Sequence, residues 1–173
     1  MYKFLLKRKI RKILKSSQRE KAYLNLRDIK SILILFDTEN FDDANNFIQK
    51  MEKIGKQIKV IACKNKNDNN HYSVFQYTII TEKDAINLKN YSFSRIVESL
   101  TEEHFDLIVD LTLKENISLL YLLVSANSPL KVGFYKNPLP VHDIVISFAP
   151  GLAQNVRELG EHLIHYLTTI SSK

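Results

Sequence analysis

The side chains able to do chemistry sit where short apolar runs end. Ser31-Ile-Leu-Ile-Leu-Phe36 leads into Asp37-Thr-Glu-Asn40, and Phe105-Asp-Leu-Ile-Val109 leads into Asp110. Two carboxylates beside an ammonium and an imidazole can move protons or hold a divalent cation. Asp37 and Asp110 are therefore the candidate catalytic pair. Glu39, Lys114, Glu115 and Asn116 stand on the same polar segments, and Lys136 and His142 follow the run Lys131–Phe134. Those six are the candidate ligand-binding residues. Asp and Asn at strand ends have a plainer use, which is to cap the following helix by accepting from its free N–H groups.

Missing motifs restrict the chemistry. The turn Asp37–Asp43 has no glycine, whereas a dinucleotide fingerprint needs glycines so that the backbone can approach a pyrophosphate. Its carboxylates would also repel phosphate. A phosphate-binding loop ending in Lys-Ser/Thr and a Gly-x-Ser-x-Gly elbow are both absent. His162 and His165 share one helical face without a carboxylate spacing that specifies a metal, so they read as solvated, as do His71 and His104. Cys63 is the single cysteine, which excludes a disulfide framework and reads as a small buried hydrophobe. No metal site and no cofactor is expected.

The elements that must position these residues alternate. After the strand Ser31–Phe36, Asp42 or Asp43 can cap a helix carrying Ala44, Phe47, Ile48, Met51 and Ile54, with Gly55 as its stop. Strands follow at Ile58–Cys63 and Phe75–Ile80, flanking a Lys/Asn-rich loop at 64–70. Next come a helix around Phe93–Leu100, the strand Phe105–Val109 and a buried helix at Ile117–Val124. Pro138 and Pro140 stiffen the loop between the short strands Lys131–Phe134 and Asp143–Phe148. A closing helix over about Leu152–Ile170 turns Val156, Leu159, Leu163, Tyr166, Leu167 and Ile170 inward. Continuous apolar strands separated by helices predict parallel βαβ units. The fold class is α/β: one three-layer Rossmann-like sandwich with a mostly parallel sheet. In a 3-2-1-4-5 strand order the first and fourth strands would bring Asp37 and Asp110 to one crevice.

The amino terminus stands apart in charge. Residues 1–22 hold nine basic side chains against Glu20, a net charge of +8, while the remainder nets −2. Leu6, Ile10, Ile13, Leu14 and Ser17 recur at helical spacing, so a basic amphipathic helix is expected over about 2–22. The chain divides accordingly into this helix, residues 1–24, and a single α/β domain, residues 25–173. Lys3, Lys7, Arg8, Lys9, Arg11, Lys12 and Lys15 could meet an anionic partner, either RNA or the ribosome, or an anionic membrane surface. Alternatively the stripe Leu6/Ile10/Ile13 docks on the domain and leaves the basic face in water, or the helix is buried in a homodimer. No apolar run approaches the ~20 residues of a transmembrane helix, and no signal sequence is visible. A cytoplasmic protein is expected, with peripheral attachment at the inner membrane as one of its readings.

Two resemblances accompany this reading. Phe105–Leu111, Ile117–Ala126 and Lys131-Val-Gly-Phe134 together resemble the N-terminal Rossmann-like half of heptosyltransferase-type glycosyltransferases. That resemblance implies the fold and places Asp37 nearest the catalytic turn of those enzymes. The whole chain also resembles a family of small bacterial proteins of unknown function. That likeness rests on the basic amino-terminal helix, Thr81-Glu-Lys-Asp84, Phe105–Leu111 with Lys114-Glu-Asn116, and His165-Tyr-Leu167. The leading expectation is a non-catalytic domain that docks through its basic helix. Its rival is a binder or enzyme for a sugar or phosphorylated metabolite at the Asp37/Asp110 crevice.

Overall fold

A computed structural model describes residues 2–65, 68, 77–86, 91–134, 136, 139–149 and 154–171. The elements are α1 (Tyr2–Ser16), β1 (Ser31–Asp37), α2 (Phe41–Lys53), β2 (Gln57–Lys64), β3 (Tyr77–Thr81), α3 (Glu82–Ile86), α4 (Tyr91–Glu102), β4 (Leu107–Asp110), α5 (Ile117–Ser125), β5 (Leu130–Phe134), β6 (Ile144–Ile146) and α6 (Val156–Thr169). The strands form one sheet in the order β3-β2-β1-β4-β5-β6, every pair parallel.

Alternation along β1 shows why its apolar run is unbroken. Ile32, Ile34 and Phe36 face one layer, where they meet Phe47, Ile48 and Met51 of α2 and Leu159, Leu163 and Leu167 of α6. Leu33 and Leu35 face the other, with Leu6 and Ile10 of α1, Phe93 and Leu100 of α4, and Leu119 to Leu123 of α5. A strand buried on both faces has no position for a polar side chain until it leaves the core. β1 does so at Asp37, which pairs in register with Cys63 of β2. Two positions back along β1, Leu35 lies opposite Asp110 of β4. The strand order changes direction between β1 and β4, and both aspartates stand at the carboxyl end of that junction.

Two glycines answer local demands. Gly55 follows the end of α2 at φ 80, in the left-handed region, and Lys56 N–H reaches back to Met51 O. Gly160 lets α6 lie close on α2, since a Cβ there would stand 2.8 Å from the Phe47 ring.

Several expectations need correction. The first helix stops at Ser16 rather than near residue 22. Beyond it, Arg19 reaches Asp143, with Nη1 to Oδ2 at 2.8 Å and Nη2 to Oδ1 at 2.7 Å, and Ala22 N–H bonds Pro129 O. These tertiary bonds hold the segment extended across the domain. Asp42 and Asp43 lie in the first turn of α2 and do not cap it; Asn40 holds the cap position. Tyr166 is turned out of α6 with 41% of its surface exposed, while Gly160 takes an inward place. A short helix, α3, follows β3 where the sequence pattern marks none. The closing helix is described from Val156, and residues 151–153 lie outside the described set, as do 66–67, 69–76 and Pro138. His71 falls among these.

Candidate functional site

The crevice is built around Asp110, at the end of a fully buried strand. Its Oδ1 accepts from Thr112 N at 3.0 Å and Thr112 Oγ1 at 2.6 Å. Its Oδ2 lies 2.7 Å from Lys136 Nζ and 3.0 Å from His142 Nε2. A carboxylate only accepts, so His142 Nε2 carries the proton in this contact. Burial alone would raise the Asp110 carboxyl, but Lys136 and His142 outweigh it and hold it well below its ordinary 3.8. Lys136 Nζ also donates to Thr112 O. Both oxygens of Asp110 are thus occupied, and all three side chains of the ion network are buried. The network fastens the β5–β6 connection to the end of β4.

Gly133 makes that arrangement possible. A Cβ on this β5 residue would stand 2.4 Å from His142 Nε2. The imidazole lies across the bare backbone to reach Asp110 on the neighbouring strand, whose register partner is Gly133 itself. The glycine of Lys131-Val-Gly-Phe134 is therefore explained by close approach rather than by an unusual φ.

Asp37 is in a different state. Asn116 Nδ2 donates to its Oδ1 at 2.6 Å, while Asn116 Oδ1 caps α5 by accepting from Ser118 N and Leu119 N. Burial lifts the Asp37 carboxyl from 3.8 to about 6; the charges of Asp110 and Glu39 add to the rise, and Asn116 and Lys136 oppose it. A buried carboxyl that titrates near neutrality can take or give a proton. The groups expected to work with it are engaged elsewhere. Lys136 and His142 face Asp110, Glu115 pairs with Lys7 at 2.8 Å, and exposed Lys114 stands 3.6 Å from Glu39. The crevice thus brings Asp37, Asn116, Asp110, Lys136 and His142 together, and leaves Glu39, Lys114 and Glu115 on its outer rim.

Neither aspartate caps a helix. Asp37 stands before the short 3-10 turn Thr38–Asn40 without a side-chain capping bond, and Asn116 rather than Asp110 caps α5. A polar depression of about 470 Å³ beside the end of β1 is lined by Glu39, Asp42, Asp43 and Arg157, and Arg157 pairs with Asp43 at 3.3 Å. Its carboxylates disfavour phosphate. Cys63 is buried, and burial pushes its thiol up to about 12, which keeps it unreactive. Among the described residues no group of three or more His, Cys, Asp or Glu could hold a metal ion.

One buried cation was not foreseen. Lys131, read only as a strand residue, sends Nζ to Leu123 O at 2.6 Å and Ala126 O at 2.8 Å, so it satisfies the carboxyl end of α5. Burial, then the charge of Arg19, bring its ammonium down to about 7 against the pull of Asp143.

The second candidate surface is α1. Leu6 and Ile10 are fully buried, Ile13 and Leu14 are half-buried, and the helix lies along α5. The Lys7–Glu115 pair fixes its amino end at the carboxyl edge of the sheet, beside the crevice. Opposite the buried stripe, Phe4, Leu5, Arg8, Lys9, Arg11, Lys12 and Lys15 are exposed, and Lys3 is exposed at the helix start. Among the described residues Lys7 is the one basic side chain of α1 paired with a carboxylate.

A family model, the family of unknown function DUF6913, matches residues 3–170, so the chain belongs to that family. No curated protein matches it. Among solved structures, an exopolyphosphatase-related protein from Bacteroides fragilis shares the fold, with a TM-score of 0.54 and 15% identity. The alignment covers 82% of this chain but only 41% of that one, so the chain spans less than half the length of its structural relative. That relative is not a heptosyltransferase, and the glycosyltransferase resemblance goes no further than the shared strand–helix–strand pattern of β4, α5 and β5.

Proposed function

We propose that this DUF6913 member is a non-catalytic Rossmann-like domain that docks on an anionic macromolecular surface through α1. One observation carries the reading. The helix is locked to the domain by Leu6 and Ile10, yet it turns outward a face on which Arg8, Lys9, Arg11, Lys12 and Lys15 have no carboxylate partner among the described residues. Fixed positive charge attracts phosphates from a distance and raises the rate of encounter with them. In the crevice Lys136 and His142 close on Asp110 and fasten the β5–β6 connection, which gives both side chains a structural use. The exopolyphosphatase-related neighbour contributes the fold and no activity to this reading.

A second reading rests on Asp37. Its proton affinity near neutrality, at the point where strand order reverses, suits a group that binds the hydroxyl of a small ligand.

Sedimentation of a host lysate on density gradients at low and high salt separates the two. Docking predicts movement with a large anionic particle at low salt and release at ~0.5 M, where the Debye length falls to a few ångströms. Replacing Arg8, Arg11, Lys12 and Lys15 together by Gln, all exposed, must give the same release at low salt. A light position independent of salt overturns docking and directs attention to Asp37.

A further inference from the structure

Phe4 and Leu5 are exposed, at 68% and 48%, on a helix that buries Leu6 and Ile10 fully and Ile13 and Leu14 in part. Successive residues of an α-helix turn by about 100°, so the direction opposite Leu6 and Ile10 falls near Arg8. Phe4 is four residues before Arg8 and lies on the same side, as do Lys12 four residues after it and Arg11 three after it. Lys15, seven residues after Arg8, falls within this row, and Leu5 lies at its edge. The outward face is thus not purely basic. It has an apolar tip over its first turn and cations behind it, with no acidic residue anywhere in the helix.

We infer that α1 lies in the headgroup region of an anionic lipid bilayer, with Phe4 and Leu5 inserted and the Lys/Arg row on lipid phosphates. The inference rests on the docking reading above and names its partner. RNA would satisfy the cations equally well, but its phosphate-lined surface would leave two large apolar side chains in water. A bilayer interface takes both parts of the face, since apolar groups gain by leaving water and cations gain from the negative surface potential. The geometry also suits a plane. Fifteen residues span about 22 Å, and the face remains on one side because Leu6 and Ile10 fix the helix's rotation against the domain. Phe4 and Leu5 precede Lys7, whose pair with Glu115 sets the start of the helix at the sheet's carboxyl edge.

The test uses the full chain and three probes: vesicles with ~30% phosphatidylserine, vesicles of phosphatidylcholine alone, and a short RNA duplex. Cosedimentation is expected with the anionic vesicles only, and ~0.5 M salt should reverse it. Each cation near the surface is worth about fivefold in partition, so Gln at Arg8, Arg11, Lys12 and Lys15 should lower it by at least about a hundredfold. Phe4→Ser with Leu5→Ser should lower vesicle binding by tenfold or more, from the lost apolar burial. Both side chains are exposed, so folding is unaffected, and circular dichroism checks this. Vesicle binding indifferent to the Phe4/Leu5 change would overturn insertion. RNA binding without vesicle binding overturns the lipid assignment and leaves docking intact. Binding to none of the three overturns both.

Discussion

Replacing Asp37 by Asn should stabilise the protein at neutral pH and leave it nearly unchanged in acid. The reason lies in the direction of the carboxyl's shift. Its affinity for a proton is raised by folding, from 3.8 to about 6, chiefly by burial and then by its acidic neighbours. A group raised in this way favours the folded state when protonated, so its contribution is full below pH 3.8 and is lost as pH rises through about 6. The loss, at about 1.4 kcal/mol per tenfold change in proton affinity, comes to roughly 3 kcal/mol above pH 7. Asparagine cannot ionise, and its side-chain oxygen still accepts from Asn116, which now donates to Asp37 Oδ1 at 2.6 Å. Urea unfolding of both proteins from pH 4 to pH 8 measures the difference. Because Asp110 and Asp143 ionise in both, their opposite contributions, present at neutrality and lost in acid, cancel from it. The variant's advantage should grow by about 2–3 kcal/mol between pH 4 and 7 and then stay flat. A difference that does not vary with pH, or an asparagine variant less stable at pH 7.5, would refute the burial argument.

Two further substitutions probe the crevice. Gly133→Ala places a methyl 2.4 Å from His142 Nε2 and should expel the ring from Asp110, costing about 2–3 kcal/mol in denaturant unfolding. The His142 imidazole should then lose its contact with the carboxylate, visible as a change in its ring-proton chemical shifts by NMR. Asn116→Ala removes the cap of α5 and the bond to Asp37 together; about 1–2 kcal/mol of stability should be lost. Because that bond opposes the Asp37 shift, the carboxyl should titrate still higher in the variant, which carbon NMR of the side chain can follow.

Particular residues show how far local pattern reaches. The apolar run of β1 is readable because a strand buried on both faces needs no alternation, and Asp37 marks its end by being the first charge. The strand order is not written in any one strand. Four of the six strands contain a continuous apolar stretch of three or more residues, and only the tertiary pairing decides which are neighbours. The end of α1 at Ser16 depends on Arg19 finding Asp143, a partner 124 residues away. Asn116 carries a readable signal, standing immediately before the apolar run Ile117–Val124 as an N-cap does, and the structure gives it both that cap and a bond to Asp37. Lys136 and His142 follow β5 in the sequence, and the fold brings both to Asp110. Their engagement with Asp110 depends on the bare backbone at Gly133, which no spacing reveals. Membership of a family of unknown function agrees with the whole-chain resemblance, whereas the glycosyltransferase likeness reflected a hydrophobic pattern common to many βαβ units.

The charge on α1 carries a cost that can be measured. The solvated faces of α2 and α6 mix signs, with Asp42, Asp43, Lys50, Glu52 and Lys53 on one and Arg157, Glu158 and Glu161 on the other. On α1, Arg8 faces Lys12, Arg11 faces Lys15, and Lys12 also neighbours Lys9 and Lys15, all like charges at three- or four-residue spacing. Each such pair costs about 0.2–0.5 kcal/mol in water. Leu6 and Ile10 offset the repulsion, since burying two such side chains contributes about 3–6 kcal/mol. Lys12→Glu turns three of these repulsions into attractions, so unfolding at low salt should show the variant more stable by about 1 kcal/mol. The same change puts a negative charge in the middle of the proposed docking face and should weaken salt-sensitive association by tenfold or more. Raised stability with lost association means that the repulsion is retained for the sake of an anionic partner. Raised stability with association unchanged would remove α1 from the interface, and no gain in stability would mean that its cations do not repel one another appreciably.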